Sequence, residues 1–285
     1  MLIHYKKPEG FLAEYIDHFW EKKMEDQEDI PYEVETIFPE DQLVITFSLG
    51  NPYYRAVQKP EDFTPIHGAI IEALHTQTTY YKHQVGNHIF GIKFKLGGLA
   101  CFSSESFKNF NNINAPLENY FGFASNYLLP ALQSLANFEE RIDLFIQFLE
   151  PLFIPARGKK WLRLQEFVGV LESQQEINAA LYKTITRSFI ELAGITPKEY
   201  LQIKRINQSL AYFAQNKSSK NQELAELLGF YDTAHFNHTF KKFTGKTPQS
   251  FVNEIEQMQS NEFIEEFKQY ISPEHLLYYS SKKHQ

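Results

Sequence analysis

Residues 223–251 read ELAELLGFYDTAHFNHTFKKFTGKTPQSF, and this stretch decides the fold of the C-terminal half of the chain. Gly229 permits a tight turn, and Asp232 stands where it would cap a following helix. Apolar residues recur at helical spacing on both sides of the turn, at Leu224, Ala225, Leu227 and Leu228 and then at Phe236, Phe240 and Phe243. The pattern predicts two short helices joined by a turn, with a polar, mildly basic face exposed on the second.

The landmarks of this stretch occur twice in the chain. Each landmark of one copy lies 51 residues from its counterpart: Phe189, Gly194, Thr196, Pro197 and Tyr200 repeat as Phe240, Gly245, Thr247, Pro248 and Phe251. In each copy we expect the glycine to end one helix and the Thr-Pro pair to begin the next. Tyr200 to Gln215 contains neither glycine nor proline and predicts a long helix between two helix-turn-helix units.

The duplicated segment resembles the DNA-binding domain of the AraC/XylS family of transcription regulators. The second unit matches the family's spacing at Ala225, Gly229, Phe230, Asp232, His235, Phe236, Phe240, Lys241, Gly245, Thr247 and Pro248. The first unit matches at Arg187, Phe189, Gly194, Thr196 and Pro197, but residues 173–178 read SQQEIN where the family has a glycine turn. We therefore expect the first unit to be shortened or distorted.

The resemblance implies which residues contact double-stranded DNA. Bases and sugar-phosphate edges would be met in the second unit by Thr233, Ala234, His235, Asn237 and His238, and in the first by Lys183, Thr186 and Arg187. Phosphates are expected at Thr196, Lys241, Lys242 and Lys246. For each lysine, solvated surface is the alternative.

Charge is distributed unevenly along the chain, whose formal net charge is −7. Residues 1–157 carry 12 basic and 21 acidic side chains, residues 158–251 carry 13 and 8, and residues 252–285 carry 3 and 6. Only the middle segment is basic, which suits DNA because phosphate neutralisation supplies non-specific affinity. The alternative is an ordinary helical module with solvated lysines.

The length of 285 residues favours more than one domain. We predict domains at 1–157 and 158–251, with an acidic helical extension at 252–285. The predicted fold class is α+β: a β-rich N-terminal domain with flanking helices, followed by an all-α DNA-binding domain of two helix-turn-helix units joined by a long helix. No apolar run reaches membrane length and MLIHYKKP lacks a signal-peptide core, so we expect a soluble, cytoplasmic protein with no membrane partner.

Residues 1–157 show the patterns of a β-rich domain. An early amphipathic helix is predicted by apolar residues at helical spacing between Phe11 and Trp20, followed by an acidic loop through Asp29 and Pro31. Strands are predicted at Leu43–Leu49, Ile66–Ala73 and Ile89–Leu96, helices at Tyr127–Leu135 and Phe138–Leu152, and a boundary at Pro151, Pro155 and Gly158.

This half resembles the uncharacterised N-terminal domain of one branch of AraC-type regulators. The similarity lies in Tyr5, Pro8, the Phe38-Pro39-Glu40-Asp41 segment, Gly91 to Phe94, Gly97 to Ala100, and Arg141 to Asp143. The resemblance implies a sensing or dimerising domain. Its expected partners are a small-molecule effector, a second copy of the chain and, for an activator, RNA polymerase.

Several residues of this half are candidates for sharper roles. An effector pocket could be lined by Tyr53, Tyr54, Tyr80, Tyr81, Phe90 and Phe94, with core packing as the alternative. His67, His75, His83 and His88 lie close in sequence, but their spacing favours polar surface over a metal site, and we expect neither metal nor cofactor. Cys101, the single cysteine, is expected to be a buried apolar residue rather than an oxidant sensor, and no disulfide can form within the chain.

No catalytic motif occurs in the chain, which contains no Gly-x-Ser-x-Gly, phosphate-binding glycine loop or His-Glu-x-x-His. We expect a bacterial transcription regulator that responds to an effector, and not an enzyme, although the scattered Asp, Glu and His of 1–157 leave an enzyme as a remaining alternative. The other alternative is a ligand- or partner-binding protein whose degenerate helix-turn-helix module no longer binds DNA. His238, largely neutral at pH 7, stands where relatives often carry Arg or Lys.

The acidic tail repeats apolar residues at helical intervals from Phe251 to Phe267, which predicts a helix to at least Tyr270, ended by Pro273. Packing of its apolar face on the domain is favoured over autoinhibition of DNA binding. Deletion after Met258 distinguishes the two, because only an inhibitory tail would raise DNA affinity on removal without loss of thermal stability.

Overall fold

The computed structural model describes residues 2–26, 34–59, 61–108, 110–173, 177–216 and 221–257, which fold as an α+β protein. The strands are β1 (Leu2–Lys6), β2 (Ile16–Lys23), β3 (Glu35–Ile37), β4 (Val44–Ser48), β5 (Tyr53–Val57), β6 (Thr64–Ile66), β7 (Ala69–Glu72), β8 (Thr79–Lys82), β9 (His88–Phe94) and β10 (Asn114–Pro116). The helices are α1 (Glu118–Phe121), α2 (Leu128–Ser134), α3 (Phe138–Leu149), α4 (Pro155–Glu172), α5 (Ala179–Ala193), α6 (Pro197–Asn216), α7 (Asn221–Leu227), α8 (Thr233–Thr244) and α9 (Pro248–Gln257). The α+β fold class is confirmed.

The strands form two sheets, one of six strands in the order β1-β2-β9-β4-β7-β10 and one of four in the order β3-β8-β5-β6. Side chains alternate across the larger sheet. On one face Phe47 of β4 packs against Phe145 of α3, and on the other the neighbouring Thr46 contacts Tyr53 of the smaller sheet. The larger sheet therefore has a helix-covered apolar face and a polar face toward the smaller sheet.

The predicted helix between Phe11 and Trp20 is wrong. A 3-10 turn spans Gly10–Glu14, and Ile16 begins strand β2, which pairs with β1 and β9. Both faces of β2 are covered, because Phe19 is in the core while Trp20 lies over Gly91, where an added Cβ would come within 2.1 Å of the indole. A strand covered on both faces carries adjacent apolar residues, which imitate helical spacing.

The helices of the duplicated segment follow the predicted signals. Gly194 and Gly245 end α5 and α8 with φ angles of 78° and 76°, the left-handed conformation that glycine adopts readily. α6 and α9 begin at Pro197 and Pro248. The predicted cap at Asp232 is confirmed, because its Oδ1 accepts a hydrogen bond of 2.7 Å from His235 N.

The described residues group into two compact units. Those within residues 2–36, 41–75 and 80–197 form one unit, and those within residues 37–40, 76–79 and 198–257 form the other. α4 and α5 therefore belong with the β-rich sheets, and Gly158 lies buried within α4 rather than in a linker, close against Phe153. The domain boundaries drawn from the sequence stay a prediction.

Within the first unit, α4 and α5 pack on the turn that follows β9. Trp161 Nε1 donates a hydrogen bond of 3.0 Å to Leu96 O, and a Cβ on Gly97 would lie 2.7 Å from Leu164 and 3.3 Å from Leu192. The Gly97 backbone has φ of 71°. A side chain there would be strained and would separate the helices from the sheet.

Three predictions fall on residues outside the described ranges: the acidic loop through Asp29 and Pro31, the middle of the SQQEIN segment, and the tail helix beyond Gln257. In the part of the chain that is described, no helix combines the length and apolarity needed to cross a membrane.

Candidate functional site

Helix α8, the second helix of the second helix-turn-helix unit, has one buried and one exposed face. Phe236, Phe240 and Phe243 are at most 1 % exposed, and Phe240 packs edge-on against Phe213 of α6 with ring centroids 5.7 Å apart. The aromatic residues fix α8 on the helix that joins the two units. Its opposite face is left for solvent or a partner.

The predicted base-contacting residues occupy this exposed face. Ala234, His235 and His238 are exposed, and Thr233 and Asn237 are partly exposed. Asn237 Oδ1 is buried and has no hydrogen-bond partner among the described residues. The face is small and polar, as a helix in the major groove requires.

Positive charge is concentrated at the C-terminal end of α8. Lys241 and Lys242 are exposed in the last turn, and Lys246, just beyond it, is partly exposed. Tyr231, immediately before the cap of α8, is 92 % exposed. Sequence reasoning missed this tyrosine, although its place beside Asp232 could have indicated it.

Helix α5 of the first helix-turn-helix unit likewise has one buried and one exposed face. Ile185 and Phe189 are fully buried, whereas Lys183 and Arg187 are exposed one turn apart and Thr186 is partly exposed. The Thr186 hydroxyl donates to Tyr182 O at 2.9 Å, and the partly exposed Thr196 precedes the first residue of α6. The structure thus places three of the predicted contacts on one face of α5.

A buried polar network lies between the two sheets and is centred on Glu72. Glu72 Oε1 accepts hydrogen bonds from Thr46 Oγ1 and Tyr53 Oη, both at 3.1 Å, and Oε2 accepts one from Tyr81 Oη. Burial raises the pKa of Tyr81 well above its usual value, and the Glu72 charge raises it further. The hydroxyl therefore remains a donor at physiological pH.

Arg55 and His75 complete this part of the network. Arg55 Nη2 lies 3.1 Å from His75 Nδ1, and Arg55 is 7 % exposed. Burial acts to raise the pKa of Glu72, but the hydrogen bond of His75, the Arg55 charge and the Tyr81 hydroxyl outweigh it and hold that pKa below its usual value. Glu72 is a paired buried carboxylate.

A second cluster in the same interior joins Lys22, Glu35 and His83. Lys22 Nζ is 2.8 Å and His83 Nε2 is 2.7 Å from Glu35 Oε2. Burial opposes ionisation of Glu35, yet the Lys22 charge and the His83 hydrogen bond lower its pKa. Arg55 Nε and His83 Nδ1 are buried polar atoms without a hydrogen-bond partner in the described structure.

The prediction that the four histidines form polar surface is wrong for three of them. His75, His83 and His88 each lie within 4.0 Å of a glutamate, at Glu72, Glu35 and Glu21 respectively, and only the exposed His67 fits the prediction. The carboxylates come from other strands or from a strand end, which residue spacing did not show. Within the described ranges, no three His, Cys, Asp or Glu residues are grouped as a metal would need.

The six aromatic residues predicted for an effector pocket do not share one surface. Tyr53 and Tyr81 adjoin Glu72 with ring centroids 5.9 Å apart, whereas Phe90 packs on Phe138 of α3, on the other face of the larger sheet. Phe94 packs on Phe102 at 6.5 Å and is fully buried. Strand alternation turns Tyr54 and Tyr80 away from their neighbours Tyr53 and Tyr81.

Cys101 is fully buried, as predicted. Burial raises the pKa of its thiol to about 12. The thiolate, which is the reactive form, is therefore scarce at physiological pH.

Two domain models match parts of the chain. A helix-turn-helix domain model matches residues 179–254, which run from the start of α5 into α9. The chain carries an AraC-type helix-turn-helix domain. Residues 5–116 match a domain of unknown function, DUF6597, over a range that begins within β1 and ends with β10.

A curated relative agrees with this assignment over a short stretch. The uncharacterised HTH-type transcriptional regulator YidL of Escherichia coli (strain K12) is 33 % identical over 73 residues, which are 26 % of this chain and 24 % of that protein. The match thus spans about a quarter of the relative's length.

Similar solved structures include ToxT from Vibrio cholerae at 1.65 Å resolution, with 12 % identity, 88 % of this chain and 98 % of that chain covered, and a TM-score of 0.36. Another is ToxT bound to (E)-4-(8-methylnaphthalen-1-yl)but-3-enoic acid, with 12 % identity, coverage of 89 % and 99 %, and a TM-score of 0.34.

Proposed function

We propose that this chain is a sequence-specific, DNA-binding transcription regulator that reads the major groove with α8. The observation that supports it most directly is the two-faced form of α8, which is fixed by buried phenylalanines and exposes Ala234, His235 and His238. Lys241 and Lys242 would contact phosphates, and we add Tyr231 as a candidate backbone contact. α5 would be the second reading helix through Lys183, Thr186 and Arg187.

Substitution of Ala234 tests this proposal. Ala234 is exposed at the second position of α8, where an aspartate favours the helix but repels phosphate. We expect Ala234→Asp to weaken DNA binding by about 10-fold or more, the equivalent of ~1.4 kcal/mol. Fluorescence anisotropy on genomic DNA fragments, followed by a selected site, measures the change.

Gln249→Asp is the matched control, because Gln249 is exposed at the second position of α9 and the change adds the same charge. It should change affinity by less than about 2-fold. Equal effects of the two variants would contradict a reading role for α8. Failure of the wild type to bind DNA even at low salt would instead favour a ligand- or partner-binding protein with a degenerate module.

We further propose that the network around Glu72 is an effector site in the compact unit that contains both sheets. The unpartnered Arg55 Nε of this network supports the proposal, as does the unpartnered Nδ1 of His83, whose ring centroid lies 6.3 Å from that of Tyr53 in the network. A buried polar atom without a partner is costly unless a ligand supplies one. A thermal-shift panel of small carboxylates, sugars and amines tests it with wild type and Arg55→Met. A compound should raise the Tm of the wild type only, and an equal shift in both would place its site elsewhere.

The homodimer and the RNA polymerase contact stay predictions.

A further inference from the structure

Two short loops from the β-rich half of the sequence belong to the same compact unit as the second helix-turn-helix. They are residues 37–40, which begin at the last residue of β3, and residues 76–79, which end at the first residue of β8. Each makes specific contacts with the helices of that unit, and we call them the 37–40 loop and the 76–79 loop.

Thr78 of the 76–79 loop caps the C-terminal end of α8. Its side chain is 2 % exposed, and its Oγ1 donates a buried hydrogen bond of 2.9 Å to Phe243 O. Phe243 is in the last turn of α8, where the carbonyl oxygens lack the amide partners that the helix interior provides. Thr78 thus supplies a donor at the helix end that carries Lys241 and Lys242.

The 37–40 loop holds α9 and α6. The Phe38 ring meets Phe251 edge-on with centroids 5.7 Å apart, and Asn207 Nδ2 donates to Pro39 O at 3.1 Å. Phe251 in turn lies 5.8 Å from the ring of Phe240 on α8. Both loops therefore contact α8 or a residue on which α8 packs.

Each loop continues along the chain into a buried polar cluster of the β-rich unit, the 37–40 loop into the Lys22–Glu35–His83 cluster and the 76–79 loop into the Glu72 network. Glu35 lies three residues before Phe38, and Thr78 lies three residues after His75 and three before Tyr81. Three residues span at most about 10 Å of extended chain, so a backbone shift at a network residue has little slack before it reaches the loop. One short stretch of chain thus joins the Glu72 network to the residue that bonds the end of α8, and the other joins the Lys22–Glu35–His83 cluster to the loop that contacts α9 and α6.

We propose that Thr78 is a positioning residue through which the hydrogen bonding of the Glu72 network sets the DNA affinity of α8. This inference rests on the proposed DNA-binding function. When the network is intact, the 76–79 loop keeps the Thr78 hydroxyl on Phe243 O. When a network bond is lost, the loop moves and the end of α8 is released.

A double-mutant cycle on DNA affinity tests the coupling in the full-length chain. Tyr81→Phe removes the hydroxyl bonded to Glu72, and Thr78→Val removes the donor to Phe243 while keeping the side-chain volume. The probe is one fluorescein-labelled DNA fragment that the wild type binds. We expect Thr78→Val to weaken binding by about 3- to 10-fold, the range of one hydrogen bond, and Thr78→Ser to restore it.

The double-mutant cycle distinguishes coupling between the Glu72 network and α8 from a purely structural role of Thr78. If the loop transmits the state of the network, Tyr81→Phe weakens binding in the Thr78 background by at least about 3-fold and has little further effect in the Thr78→Val background. The inference is overturned if the affinity changes of the two single variants simply multiply in the double variant. It is also overturned if Thr78→Val leaves the affinity unchanged, and in both cases the wild type still binds DNA. A wild type that binds no DNA overturns both proposals.

Amide hydrogen exchange gives a readout that needs no DNA. Tyr81→Phe should speed exchange in the last turn of α8 and in α9 when Thr78 is present, and should add nothing when Thr78→Val is already in place. Faster exchange confined to the strands around Glu72 would show that the effect of Tyr81→Phe does not reach α8 or α9, which contradicts the proposal.

Discussion

Removal of one hydroxyl from the Glu72 network should cost a measurable part of the stability of the β-rich unit. Tyr81→Phe deletes the donor to Glu72 Oε2 but leaves the Thr46 and Tyr53 hydroxyls on Oε1. A hydrogen bond to an ionised group contributes about 1.5–3 kcal/mol, so we expect a loss in this range in the free energy of unfolding at pH 7. Urea denaturation followed by circular dichroism measures it.

The pH dependence of this loss follows from the lowered pKa of Glu72. A carboxyl whose pKa is lower in the folded than in the unfolded protein stabilises the fold above its unfolded pKa, and this stabilisation is lost as pH falls through the folded pKa. Since the Tyr81 hydroxyl helps to lower the pKa of Glu72, the difference between wild type and Tyr81→Phe should shrink as pH falls below about 4.5.

Tyr54→Phe is the matched control, because Tyr54 is the neighbour of Tyr53 on β5 and is turned to the other side. It should change the free energy of unfolding by no more than about 0.5 kcal/mol. A Tyr81→Phe effect as small as that of Tyr54→Phe, or one that grows as pH falls, would refute the assignment of Glu72 as an ionised acceptor.

Three further outcomes are expected. Arg187→Ala should weaken binding to a selected site by about 1–3 kcal/mol if α5 enters the groove, and anisotropy on that site would show almost no change if it does not. Asp232→Ala should destabilise by about 1 kcal/mol through loss of the cap on His235 N, which thermal or urea unfolding detects. Cys101, with a pKa raised to about 12 by burial, should react with a thiol reagent at pH 7 only at the rate of unfolding, and fast labelling of the native protein would contradict its burial.

The C-terminal helices could be predicted from the sequence because their signals are local. Gly194, Gly245, Asp232 and the two Thr-Pro pairs each act on the next few residues, so a printed sequence carries the information. The buried and exposed faces of α8 likewise follow from phenylalanine spacing alone. These local signals gave both helix boundaries and candidate contacts.

The interior of the β-rich unit could not be predicted, because it depends on pairing between distant strands. Spacing among the histidines did not reveal that Glu35, 48 residues from His83, would be its partner. Strand β2 looked helical because both of its faces are covered, which permits adjacent apolar residues such as Phe19 and Trp20. The contact of Thr78 with Phe243, 165 residues away, likewise leaves no local mark in the sequence.

The salt dependence of DNA binding tests the central claim most directly. The affinity of the wild type for a DNA fragment should fall linearly on logarithmic axes between about 50 and 200 mM salt, because phosphate contacts release counterions. Lys241→Ala with Lys242→Ala should reduce that slope by about 2, whereas the equally charged double change of the exposed Lys59 and Lys82 to alanine should leave it unchanged. Salt-independent binding by the wild type, or an equal loss of slope in both double variants, would contradict the account of α8 as a DNA-reading helix.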